Sequence, residues 1–278
     1  MSRSERGKRA TPDYSARRVR HESGTRSRLE LPPELRRAHA DAVPLGALLD
    51  GALASLWMAY QPIVTACGAL FGYEALMRSE HPALPHPGAI LDAAEQVGRL
   101  HDVGRAVRRK ASEPMDRAPL PVLLFVNLHP VELNDDNLIS PSAPLTAIAP
   151  RVVLEITERA SLEFIDDVPS RVARLREHGF RIAIDDLGAG YSGLTSFTRL
   201  SPEFVKLDLS LVRGIHESSV KQKLVKSMAA LCKDMGITIV AEGIEFVEER
   251  DTIVALGCDL LQGYLFARPG RPFPKICW

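Results

Sequence analysis

The sequence predicts an α/β fold: a TIM-type (β/α)8 barrel with one antiparallel strand, the first. Three observations carry this prediction. Eight short apolar runs of strand length follow one another between residues 57 and 266. Helical patterns separate most of them, and strands alternating with helices imply a parallel sheet. The first two runs, however, are joined only by the stretch around Thr65 to Gly68. A parallel crossover needs about a dozen residues, so these two must run antiparallel. An open doubly wound sheet is the nearest alternative, but no glycine-rich phosphate fingerprint opens the first βα unit.

The chain has 278 residues, of which 45% are hydrophobic and 25% charged. This is an ordinary globular composition with room for a large core. Lys plus Arg equals Asp plus Glu at 35 each, so net charge points to no nucleic-acid partner. Residues 1–45 are the exception: they are rich in Arg and poor in apolar residues before Leu29. Such a stretch buries too little to order itself, so a disordered basic tail is expected there, with the barrel over 46–278. No apolar h-region follows the basic start, and no run reaches the length of a membrane span. The four cysteines are scattered without metal-ligand spacing, which suits unpaired thiols in a cytoplasmic setting.

The strands are expected at "WMAYQPIV" (57–64), "ALFGYEAL" (69–76), "PVLLFVNL" (121–128), "RVVLEIT" (151–157), "FRIAID" (180–185), "FVKLDL" (204–209), "ITIVAEG" (237–243) and "LLQGYLF" (260–266). Helical patterns cover 88–111, 170–178, 218–235 and 246–256, and Gly179 and Gly236 fit helix stops.

In a β/α barrel the chemistry sits where the strands end. Here those ends carry Glu74, Asn127, Glu155, Asp185 with Asp186, Lys206 with Asp208, Glu242 and Gln262. Each has a plain structural reading taken singly. Asn127 could satisfy a loop, and Lys206 and Asp208, two apart on a strand, could be an ion pair. Together, Glu74, Glu155, Asp185, Asp186 and Glu242 would crowd five carboxylates at one mouth. Like charges so close must take up protons or hold cations, and one Lys cannot neutralise five. Oxygen ligands suit Mg²⁺ or Mn²⁺, and adjacent Asp185 and Asp186 could serve two ions, a device used for displacement at phosphorus.

An ordered set of motifs makes a resemblance specific: "YQPIV" (60–64), "EALMR" (74–78), "FVNLHP" (125–130), "LEITE" (154–158), "AIDDLGAGYSGL" (183–194), "VKLD" (205–208), "VAEGIE" (240–245) and "QGYLFARP" (262–269). From about residue 55 to 270 the chain resembles the EAL domain family of bacterial cyclic di-GMP phosphodiesterases. The resemblance implies that Glu74, Asn127, Glu155 and Asp185 hold a first metal. It implies that Asp185, Asp186 and Glu242 support a second. Lys206 would hold or deprotonate the attacking water, and Gln262 would position a water or the ligand. Glu158 would anchor the loop after the fifth strand. Gln61 and Arg78 would lie near guanine and phosphate, with Leu76 and Asp208 also on the substrate side. Leu187, Ala189 and Gly193 depart from the common "DDFGTGYSSL", and Ser79 replaces a common Trp.

The expected activity is therefore metal-dependent hydrolysis of cyclic di-GMP to linear pGpG, with two Mg²⁺ or Mn²⁺ ions as cofactors. A homodimer is implied, and a regulatory protein partner stays open. The rival reading is a silent EAL domain acting as a cyclic di-GMP receptor or interaction module. Silent members usually lack a ligand, and none is lacking here.

Overall fold

The computed structural model describes residues 43–119, 121–157, 162, 165–188 and 193–278. The tail expected over 1–45 lies outside them except for its last three residues, and so do Glu158 and Ala189.

Helix α1 (Leu45–Ala54) leads into β1 (Trp57–Thr65) and β2 (Leu70–Arg78). Helices α2 (Pro87–Gln96) and α3 (Leu100–Ser112) precede β3 (Leu123–Asn127). Short 3-10 turns over 130–134, 136–139 and 146–151 replace a helix before β4 (Val152–Thr157). Then follow α4 (Val168–Glu177), β5 (Arg181–Leu187), α5 (Gly193–Leu200), β6 (Phe204–Leu207), α6 (Leu209–Val212), α7 (Ser219–Asp234), β7 (Thr238–Ala241), α8 (Val247–Ala255) and β8 (Leu260–Gln262).

The eight strands close in sequence order. β1 is antiparallel to both β2 and β8, and every other pair is parallel. The barrel with one reversed strand is therefore what the chain forms. The four cysteines are free thiols.

Three local expectations need correction. The eighth strand ends at Gln262 and does not run to 266. The helical pattern over 88–111 is two helices, α2 and α3, because Gly98 takes a left-handed φ of 69° between them. The sixth strand stops at Leu207, so Asp208 does not share a strand face with Lys206. Asp208 instead caps α6, its carboxylate accepting from Ser210 N at 3.0 Å.

Strand alternation sorts the side chains into two cores. One face of each strand packs against the helices, with Leu124, Leu154, Ile182, Val205 and Ile239 among them. The other face fills the barrel with Ile63, Phe125, Val153, Ala183, Phe204, Val240 and Leu260. One step of two residues toward the C-terminal rim turns each of these into a polar side chain: Gln61, Asn127, Glu155, Asp185, Lys206, Glu242 and Gln262. Gly72 steps to Glu74 in the same way, with Gln61 opposite Glu74 across the β1–β2 ladder. The apolar layer is the floor on which the polar layer stands.

Candidate active site

Lys206 is the centre of that polar layer and is 1% exposed. Its Nζ lies 2.5 Å from Glu242 Oε1, 2.7 Å from Glu155 Oε1, 3.3 Å from Glu74 Oε2 and 3.4 Å from Asp185 Oδ1. Asn127 Nδ2 donates to Glu74 Oε1 at 3.1 Å and to Glu155 Oε2 at 3.2 Å. Gln262 Nε2 donates to Glu74 Oε2 at 2.7 Å and to Gln61 Oε1 at 3.2 Å. Gln61 Nε2 is in turn tied to the carbonyl of Ala267 at 3.1 Å.

Adjacent residues on a strand point to opposite faces, yet Asp185 and Asp186 serve the same site. A bulge between Ile184 and Leu187 places two residues of β5, Asp185 and Asp186, against one of β6, Lys206. Asp186 within it takes a left-handed φ of 56°. The bulge re-aims Asp186, so that one oxygen each of Asp185, Asp186 and Glu242 lies within 4.8 Å of the others.

These groups titrate together. Burial, with Asp185 and Glu74 close by, pushes the Glu242 carboxyl up to about 8 despite Lys206. Burial raises Glu155 well above the usual carboxylate range. At Glu74 burial also pushes upward, but the Lys206 charge and donors from Gln262, Lys206 and Asn127 win, and its pKa falls. Burial would lower Lys206, but the surrounding carboxylates raise it well above an ordinary lysine. One ammonium thus leaves the layer with surplus negative charge, and protons take it up. The buried Oε1 of Gln262 has no hydrogen-bond partner among the described residues. Oxygen donors, surplus charge and an unused carbonyl together fit hard divalent cations.

The layer floors an open cleft of about 520 Å³. Gln61, Glu74, Leu76, Asn127, Asp185, Asp186, Lys206, Glu242 and Gln262 line it, with Glu155 buried just beneath. Arg78 stands apart: it lines a neighbouring, more apolar cleft of about 440 Å³ that shares Leu76 and Asn127. Its Nη1 donates to the carbonyl of Met77 at 2.8 Å. Asp208 lines neither cleft.

Three of the lining residues with polar side chains were not singled out by sequence. Arg213 and Glu245 form an ion pair at 2.5 Å, and Tyr264 carries Arg268 over its ring at 4.3 Å. Glu245 and Tyr264 stand just past strand ends, where the fold puts chemistry. Arg213 follows a short helix and had no such signal.

Residues 48–269 match the EAL domain. The chain belongs to that family. This EAL domain is 34% identical over 224 residues to "Cyclic di-GMP phosphodiesterase RocR" of Pseudomonas aeruginosa, covering 76% of this chain and 56% of that protein. It is 30% identical over 252 residues to "Oxygen sensor protein DosP" of Escherichia coli, covering 85% of this chain and 31% of that one. It therefore spans less than two thirds of either relative. Among solved structures it is similar to the PaMucR phosphodiesterase in its c-di-GMP complex. That likeness has a TM-score of 0.72 at 29% identity and covers 83% of this chain and 98% of that one. It is also similar to the manganese/cy-diGMP complex of Klebsiella pneumoniae BlrP1 at pH 6. There the TM-score is 0.70 at 35% identity, covering 81% of this chain and 58% of that one. No helix among the described residues is long and apolar enough to cross a membrane.

Proposed function

We propose that this EAL domain is a metal-dependent phosphodiesterase that opens cyclic di-GMP to linear pGpG. The observation that carries the reading is the clustering of Asp185, Asp186 and Glu242 oxygens within 4.8 Å beside a lysine held by four carboxylates. Glu74, Asn127, Glu155 and Asp185 would hold one divalent cation, Mg²⁺ or Mn²⁺, and Asp185, Asp186 and Glu242 a second. Bound there, the ions would supply Lewis acidity to the phosphodiester and to the attacking water.

The chain's own residues do the rest. Four carboxylates around Lys206 keep it an ammonium, so it donates to the water and orients it and does not take its proton. Gln262, fixed by Glu74 and Gln61, positions a water or the ligand with its free Oε1. Water oxygen bonds to phosphorus and the bond from phosphorus to O3′ breaks; one proton of the water ends on O3′ as a hydroxyl and the other stays with the new terminal phosphate. Arg78, in the neighbouring cleft, would take the second phosphate, since its fork matches two oxygens. Leu76 lines both clefts and would meet a ligand that extends from one into the other. Glu158 is assigned the loop after β5, and Asp208 supports the substrate side by capping α6. The unit is taken to be 46–278, cytoplasmic and homodimeric.

Purified protein incubated with cyclic di-GMP and Mg²⁺ or Mn²⁺ should yield pGpG, and excess EDTA should abolish it. Asp185→Asn should lower the rate by about two orders of magnitude or more while ligand binding persists. Wild type that binds cyclic di-GMP but fails to cleave it with every divalent ion tried would overturn the enzyme reading in favour of a receptor.

A further inference from the structure

We propose that Glu132 is a positioning residue for Asn127, held by Arg108 and seated on Gly104. Its chemical consequence rests on the phosphodiesterase reading; its geometry does not. Asn127 ends β3 with its amide spanning Glu74 and Glu155. The next residue, Leu128, donates its N–H to the carbonyl of Glu155 at 2.8 Å. The one after, His129, donates its N–H to Glu132 Oε1 at 3.0 Å. Three successive residues are thus pinned, and Glu132 supplies the pin farthest from the rim. Without it, His129 keeps only the bonds inside its own turn, from Glu132 N to its carbonyl at 2.9 Å and from Val131 N to its ring, and the turn loses its tie to Arg108 of α3.

The molecule commits much to this one carboxylate, which is 3% exposed. A buried charge is costly unless paired. Arg108 Nη1 reaches Glu132 Oε2 from α3, and Arg108 Nη2 holds Asp135 at 2.6 Å. Arg105 grips the same Asp135 at 2.7 and 3.1 Å, which makes the set two cations against two anions. The seat is Gly104, where an added Cβ would collide with Glu132 Oε2. Any larger residue would expel the carboxylate. An aliphatic side chain would fill this space at less desolvation cost. What the ionic set provides is a fixed position for the turn that carries Asn127.

Glu132→Gln keeps the shape, but its amide cannot accept from both His129 and Arg108. Calorimetry with Mn²⁺ alone should show its affinity weakened about tenfold, the scale for partners behind a ligand. In the Asn127→Ala background the same change should alter affinity by less than about twofold, because Glu132 acts through Asn127. In metal-free protein, NMR should show the Asn127 side-chain amide signals displaced by Glu132→Gln. If Glu132→Gln does not fold, Glu132→Asp carries the same readouts. Unchanged Asn127 signals in a folded variant, or a tenfold loss that persists without Asn127, would overturn the proposal. If wild type binds no Mn²⁺ and cleaves nothing, the phosphodiesterase reading fails, and the Asn127 signals alone decide the positioning.

Discussion

Glu132 and Glu249 are two solutions to one problem. Each is the third residue of a helical segment just past a strand end, and each is buried, at 3% and 0% exposure. Each accepts from the backbone just before its own helix. Glu249 is satisfied by main chain alone: Gly214 N at 2.8 Å, Glu245 N at 2.9 Å and Phe246 N at 3.2 Å. Glu132 has one such donor, His129 N, and depends on Arg108 for the rest. The consequence is opposite titration. Burial pushes Glu132 up to about 7 even against Arg108. Burial pushes Glu249 upward too, but its three N–H donors outweigh it and the pKa falls. At Glu249 three N–H donors outweigh burial, whereas at Glu132 one N–H donor and the Arg108 charge do not.

The largest expected effect is at Glu249. Glu249→Ala strands three backbone N–H groups where the β6 and β7 loops meet, including those flanking Arg213 and Glu245. At about 1–3 kcal/mol for each group left unsatisfied, the loss should be roughly 4 kcal/mol in urea denaturation. A loss below about 1 kcal/mol would show that water replaces the carboxylate, and the contrast between the two sites would collapse.

The pH dependence sharpens the same contrast. Glu132 has a folded pKa above its unfolded value, so its share of stability is full below about 4.3 and is lost as pH rises through about 7. Glu249, with a lowered folded pKa, contributes above the unfolded value and loses that share as pH falls. Stability of wild type minus Glu132→Gln, measured between pH 4.5 and 8 without metal, should therefore fall with rising pH by about 3 kcal/mol. A flat difference would mean that Arg108 keeps Glu132 ionised throughout.

Gly104 tests whether the seat is rigid. Gly104→Ala should raise helix propensity by about 1 kcal/mol, yet its methyl collides with the Glu132 carboxylate. Overpacking of that kind should win, with a net loss of about 2 kcal/mol. In the Glu132→Ala background the same substitution should become neutral or stabilising.

Much of the site was legible because a period of two is rigid. Once Phe125, Val153, Ala183, Phe204 and Val240 face inward, so must Asn127, Glu155, Asp185, Lys206 and Glu242. The rule failed where the backbone left the strand. Asp208 lies one residue past the end of β6, and the bulge that turns Asp186 has no residue signature beyond the acid pair itself. Glu132 was not legible at all. "HPVELND" reads as a polar loop, and its partner Arg108 lies 24 residues away. Gly104 within a run of good helix formers was a signal, since such a glycine usually marks a close approach.

The smallest expected effect concerns the outer member of the Glu132 set. Arg105 and Arg108 both hold Asp135, but the Arg105 side chain is 50% exposed and that of Arg108 only 5%. Asp135 also accepts from Asn137 N at 3.1 Å, so its charge keeps two donors when Arg105 is removed. Water can reach the vacated oxygen. Arg105→Ala should therefore cost less than about 1 kcal/mol, as exposed ion pairs do. Arg108→Ala should cost several times more, because it leaves Glu132 buried without its counter-charge. Equal losses from the two variants would show that Asp135, and not Glu132, is the carboxylate this ionic set exists to hold.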